Sequence, residues 1–375
     1  MPDFQKFLTK ATTTHEKTTF FHEIATSIYL RNINAKIENG SSILKFYKSK
    51  LFALENNIDF STVYAKFLID ETPPEAILTD ARNIAKFLID KAGKPDTNKP
   101  IIWTGPSNAS GDYGAADLVY FVKGEAILVS IKKDVGQFKN LTLGTVGRVL
   151  FQESNIIKTL YKDTKSQWDS LTREWIQMLI KQFPKVREVL EVYKDTTWDK
   201  YQKQQISKED LLKLDIKKHN SYLLSYFCKK LFVNMDKVGK EEWGKIRGYY
   251  FQEIFGSYFE KRKETVNKNL ELMFKILIGV TEKHEMWYVA NGGLDYFVIP
   301  NKTHFYNSVK DLEFTQKSFP NMGGYVFSLI VKKDNKILIE IDTTIRWKAG
   351  QMIGLPESSS TLKFIDKELW AKIFT

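Results

Sequence analysis

Asp117, Ser130 and Lys132 are the residues whose types and spacing could do chemistry. Two apolar runs, Asp117 to Val122 and Ala126 to Lys132, flank Lys123-Gly124, a dipeptide suited to a two-residue hairpin turn. Such a hairpin pairs Val122 with Glu125 and Asp117 with Ser130. Side chains alternate along a strand, so Asp117, Ser130 and Lys132 then share one face at the open end. The other face, Leu118, Tyr120, Val122, Ile127, Val129 and Ile131, is a core surface. A one-residue change in the turn would undo the convergence. A hard divalent cation needs oxygen ligands, and Asp117 with nearby carbonyls can begin such a site. The same aspartate and lysine also read as a structural ion pair. The preceding run Ser110-Gly111-Asp112-Tyr113-Gly114-Ala115-Ala116 is built of small residues that would let a phosphate backbone approach.

The stretch Ala116-Asp117-Leu118, followed by Val129-Ser130-Ile131-Lys132, resembles the PD-(D/E)xK nuclease signature. More narrowly it is similar to type II restriction endonucleases in which serine replaces the second acid, giving Ser-x-Lys. The likeness runs from Asn108 to Tyr161 and extends more loosely to Leu277-Ile278-Gly279 and Met286-Trp287-Tyr288-Val289. Ala116 stands where the signature has proline, and the second carboxylate is missing. Related Ser-x-Lys enzymes take that acid from the following helix. On a helix begun near Thr142, Glu153 falls within the apolar arc of Val146, Val149, Leu150, Ile157 and Leu160. It therefore reads either as the relocated metal ligand or as a buried partner of a cation. Asp134 and Glu75 are further candidates for the acid.

The resemblance implies Mg2+ held by Asp117, Glu153 and the Ile131 carbonyl, with Lys132 orienting a water for phosphodiester hydrolysis that leaves 5′-phosphate ends. It also implies double-stranded DNA cut at a specific sequence, a homodimer, and a cognate DNA methyltransferase as genetic partner. Two alternatives stay open: a non-specific repair or phage-defence nuclease of the same fold, and a non-catalytic DNA-binding protein.

The elements that must position these groups are read from periodicity. Phe20 to Leu30 and Ile43 to Glu55 carry helical spacing, and a third helix runs from Pro74-Glu75 to Ala92, closed by Gly93. Ile101 to Trp103 is a short strand. A helical run extends from Thr142 to Tyr161, and Gln167 to Val280 is mostly helix. Strands follow at Met286 to Ala290, Tyr296 to Ile299, Gly324 to Val331 and Lys336 to Ile345, the last two joined by a turn at Lys332-Lys333-Asp334-Asn335. The expected fold class is α/β, a restriction-endonuclease-like mixed sheet flanked by helices. Its divisions are an N-terminal helical region (1–95), a nuclease core (96–165 and 281–300), a helical insertion (166–280) and a C-terminal β-rich region (301–375).

Composition sets the partner class. The 375 residues are 43% hydrophobic and 27% charged, as in a folded globular protein, and the formal charge is +11. Positive charge attracts polyanions through counterion release, so nucleic acid leads. Positions 211 to 270 hold 13 Lys/Arg against 7 Asp/Glu. Lys332, Lys333, Arg346 and Lys348 are expected to form part of a base-reading surface. One cysteine, Cys228, excludes an intramolecular disulfide and a thiolate zinc site. Met1 to Lys10 lacks a signal-peptide apolar run, and Leu270 to Val280 is too short to span a bilayer, so the expectation is a cytoplasmic protein with no membrane partner. Phosphate-loop, zinc-protease and serine-hydrolase motifs are missing: Gly105 to Gly114 lacks a Gly-Lys-Ser/Thr ending, neither His15-Glu16 nor His284-Glu285 gains its second histidine, and no Gly-x-Ser-x-Gly occurs.

Overall fold

The computed structural model describes residues 14–38, 42, 46, 49–50, 52–54, 74–104, 113, 116–132, 143–184, 187–191, 193–197, 228, 231–281, 283–321, 323–347, 356–366 and 368–370. Residues 105–112, Asp134 and Lys348 lie outside them. The chain divides into two compact units: residues 1–137, 278–312 and 366–375, and residues 138–277 and 313–365.

The first unit is a mixed six-stranded sheet, β1 (Phe52–Leu54), β2 (Ile101–Trp103), β3 (Leu118–Val122), β4 (Glu125–Ile131), β5 (Met286–Ala290) and β6 (Asp295–Ile299), in that spatial order. Strands β2, β3 and β4 form an antiparallel meander, β5 runs parallel to β4, and β1 runs parallel to β2. One sheet face is covered by helix α1 (Thr14–Arg31) and helix α2 (Glu75–Lys91). In α2 the buried residues Ala81, Ile84, Ala85 and Leu88 recur at three- and four-residue spacing, the apolar stripe of an amphipathic helix. Around them Leu118, Tyr120, Val129, Ile131 and Trp103 join Ile24, Ile28 and Tyr29 of α1 in one core. Burying each such large side chain stabilises the unit by roughly 1.5–3 kcal/mol before entropy is counted.

The hairpin has the expected register: Leu118 pairs with Val129 and Val122 with Glu125. Both turn residues have positive φ, 52° at Lys123 and 87° at Gly124, as a type I′ turn requires. The turn is fixed from outside. The Asp96 carboxylate accepts the N–H groups of Lys123 and Gly124, each at 2.8 Å, and the Lys99 ammonium donates to the Gly124 carbonyl at 3.1 Å. Arg31, at the end of α1, donates to the carbonyls of Asp96 and Lys99, so the first helix and the hairpin tip are held by one short loop.

One helix expectation fails here. Phe52–Leu54, at the end of the run read as helical from Ile43 to Glu55, is strand β1. Three residues of ladder with Ile101–Trp103 outweigh local periodicity, because strand preference is set by the neighbour that the segment finds.

The second unit joins helices at Lys165–Gln182, Lys237–Phe251 and Lys263–Lys268, among others, to a four-stranded antiparallel sheet in which the last strand in sequence lies at one edge and the first at the other. Its strands are β7 (Glu313–Asn321), β8 (Gly324–Lys333), β9 (Lys336–Arg346) and β10 (Glu357–Phe364). Strands β8 and β9 and the Asp334-Asn335 turn, with φ of 49° and 63°, match expectation. Strands β7 and β10 were not expected.

The helix read from Thr142 to Tyr161 is broken. Leu143–Val146 passes into a π-helical turn at Gly147–Phe151, Gln152 adopts left-handed φ of 57°, and a new helix starts at Ile156. The chain doubles back so closely that a Cβ on Gly147 would lie 2.5 Å from Ile156 Cβ. A single helical wheel through Glu153 is therefore void. Both units together make an α/β protein with one mixed and one antiparallel sheet flanked by helices, and no helix among the described residues is long and apolar enough to cross a membrane.

Candidate active site

Asp117 is the residue just before β3, and its backbone is locked on both sides. Its N–H donates to Val129 O at 2.8 Å, and its carbonyl accepts from Thr104 N–H at 3.1 Å. That leaves the side chain at the mouth of the hairpin. Asp117 Oδ2 accepts from Ser130 Oγ at 3.0 Å and from Ile131 N–H at 2.7 Å, and the Lys132 ammonium lies 3.6 Å away. Ser130 is fully buried, whereas the Lys132 side chain is 30% exposed and Asp117 12%, so the charged pair is reachable from solvent. Lys132 is anchored by its own N–H, which donates to Val289 O of β5 at 2.9 Å. Ile131 contributes its backbone N–H to this cluster.

A second carboxylate joins it from α1. Glu23 is buried, and its Oε2 accepts the indole N–H of Trp103, the last residue of β2, at 2.7 Å. Burial holds the Glu23 carboxyl well above the usual carboxylate range, and the charge of Asp117 pushes it the same way; the Trp103 hydrogen bond and the Lys132 charge act against them. Tyr288, paired with Ser130 across β4 and β5, is buried; burial first, and Asp117 second, raise its hydroxyl, which donates to Ile278 O at 3.2 Å.

The signal for Glu23 was in the sequence. From Phe21 to Leu30 nearly every residue of α1 is buried, so a glutamate there has as much need of a reason as Glu153 had.

No family model, curated protein or solved structure matches this chain. The site's chemistry has to speak for itself.

The other candidates have surroundings of their own. Glu153 belongs to the second unit, where Tyr258 donates its hydroxyl to Oε2 and Arg262 Nε donates to Oε1 at 2.8 Å. Arg262 also binds Asp163 at 3.0 Å and lies 3.7 Å over the Tyr258 ring. Both Glu153 oxygens serve this network, which ties down the break after Gln152. Glu75 stands exposed in the first turn of α2. The cations expected to form part of a base-reading surface are split: Gly324 pairs with Arg346 but Lys333 with Lys336, so Arg346 and Lys332-Lys333 occupy opposite ends of the sheet, about 30 Å apart at the usual strand rise.

Among the described residues no group of three or more His, Cys, Asp or Glu side chains is arranged to hold a metal. The Glu23–Asp117 donor set nevertheless fits magnesium, which is commonly held by only one or two carboxylates with water and substrate phosphate completing its shell. Burial first, and the Asp117 charge second, hold the Glu23 carboxyl above its ordinary range, and a divalent cation beside both carboxylates would oppose the second of these.

Proposed function

We propose that this protein is a magnesium-dependent endonuclease acting on double-stranded DNA. The observation that carries the reading is the convergence of Asp117, Ser130 and Lys132 at the mouth of one hairpin, with Glu23 close enough to feel the Asp117 charge. The mixed sheet, an antiparallel β2–β3–β4 meander followed by a parallel β5, supports it, since the resemblance implies a mixed sheet flanked by helices.

Asp117 and Glu23 would hold the cation. Magnesium, when bound, would polarise a phosphate oxygen and acidify a coordinated water. Ser130 and the Ile131 N–H fix the Asp117 carboxylate through two hydrogen bonds, so it needs no reorganisation when substrate arrives. The Lys132 ammonium, partly exposed, can orient a water and offset the negative charge that builds on the phosphate oxygens. Burial holds the Glu23 carboxyl above its ordinary range, so metal affinity would rise with pH.

A rival reading has its own observation. Asp117 Oδ2 takes two hydrogen bonds and an ion pair from its own neighbours, as a purely structural carboxylate would in a non-catalytic DNA-binding protein. Incubating supercoiled plasmid with the protein in magnesium or in EDTA decides between them. Cleavage in magnesium alone, with 5′-phosphate ends, is expected; binding without cutting in both would leave the structural reading. A discrete fragment pattern would mark site-specific restriction, and a smear a non-specific nuclease.

A further inference from the structure

The end of the second sheet where β7 turns into β8 brings two arginines together. Arg247, on the helix Lys237–Phe251, is only 8% exposed, and its guanidinium lies 5.7 Å over the ring of Trp243. Gly323 covers that guanidinium: a Cβ there would stand 1.8 Å from Nη2, and φ of 83° also favours glycine. The next residue, Gly324, touches the second arginine. It pairs with Arg346 across the ladder, and a Cβ on it would stand 3.3 Å from Arg346 Cβ. Two consecutive glycines thus bring bare backbone against the buried guanidinium of Arg247 and the Cβ of the exposed Arg346. The arginines feel each other: burial first, and the Arg346 charge second, lower the Arg247 guanidinium to about 10.

The neighbouring cations of this sheet differ. Lys317 is engaged with Glu340 at 2.8 Å and Lys363 with Asp342 at 2.6 Å. Arg346 is exposed and makes no ion pair among the described residues. Setting a like charge beside a buried one is unfavourable unless an anion comes between or beside them. Guanidinium forks are the side chains best matched to phosphate.

We propose that Arg346, with Arg247 next to it, forms a phosphate site at the Gly323–Gly324 end of the second sheet, and that its ligand is a backbone phosphate of DNA. The choice of DNA rests on the nuclease reading; the anion site itself does not. A phosphate contact of this kind positions the duplex and carries no sequence information.

The test has two arms, both in EDTA so that no strand is cut. In the first, a short duplex of random sequence is titrated against the parent protein, Arg346→Ala, Arg346→Lys and, as a control on the same sheet, Lys363→Met. Arg346→Ala should weaken binding several-fold and lower the slope of log affinity against log salt by about 0.9, the value for one phosphate. Arg346→Lys should keep the slope, and Lys363→Met should keep both. In the second arm, inorganic tripolyphosphate should raise the melting temperature of the parent but not of Arg346→Ala. If the tripolyphosphate effect follows Arg346 while the parent binds no duplex, the anion site stands and both DNA as its ligand and the nuclease reading fall. If duplex binding ignores Arg346 while tripolyphosphate still depends on it, DNA as the ligand is overturned alone. Identical behaviour of parent and Arg346→Ala in both arms overturns the site.

Discussion

The indole N–H of Trp103 donates to Glu23 Oε2 across 80 residues of sequence, joining the end of β2 to the middle of α1 at 2.7 Å. That bond holds a buried acid beside Asp117 and sets the first prediction. Glu23→Gln keeps an oxygen to accept from Trp103 but loses the charge. Cleavage should fall, and the magnesium needed for residual activity should rise about tenfold or more. An unchanged magnesium titration would remove Glu23 from the metal site.

Glu23 also fixes a pH dependence. A carboxyl whose folded value is raised favours the folded state fully below its ordinary value of 4.5, and that contribution is lost as pH rises through the folded value. The parent should therefore lose stability from about pH 4.5 upward relative to Glu23→Gln. Melting curves without metal should show the variant gaining on the parent toward pH 8. Parallel curves at pH 5 and pH 8 would contradict the burial of Glu23 as a perturbed acid.

Asp117→Asn should cut plasmid cleavage by about a hundredfold or more, since it removes charge needed for cation binding and transition-state stabilisation. Duplex binding in EDTA should stay within a few-fold, because phosphate contacts elsewhere persist. Wild-type nicking rates in this variant would end the catalytic assignment.

Glu153→Gln should act on stability alone. The amide leaves Arg262 with one carboxylate fewer, at a cost of about 1–3 kcal/mol. Magnesium dependence should match the parent. A shifted magnesium titration at unchanged melting temperature would return Glu153 to the metal site.

Asp96→Ala should lower the melting temperature and the cleavage rate together. It strips both N–H groups of the Lys123-Gly124 turn of their acceptors, a loss of about 1–2 kcal/mol. Urea unfolding measures the first effect and plasmid nicking the second; full activity with reduced stability would show that the register of the hairpin survives without its clamp.

The hairpin and its cluster were legible because every signal there is local: alternation, a turn dipeptide and a register counted from it. What was missed depends on partners far along the chain. Strand β10 contains Ser358, Ser359 and Ser360, a run with no apolar alternation; it is a strand because β9 supplies a ladder from Ile339 to Arg346. Strand β7 carries Pro320 near its end and is largely exposed, so no apolar alternation marks it. The single helix through Glu153 was misread because nothing local announces the left-handed Gln152, whereas Glu23 was overlooked although its helix was recognised.

The route from β4 to β5 runs through the whole of 138–277, and Lys132 cannot bond to Val289 until that stretch has been made. At about 5–20 residues per second, synthesis leaves the finished hairpin waiting on the order of ten to thirty seconds for its parallel neighbour. A ribosome that stalls anywhere in the interval holds Asp117, Ser130 and Lys132 on a sheet with an open edge. Order of synthesis thus delays the anchoring of Lys132 on β5 until most of the polypeptide has emerged.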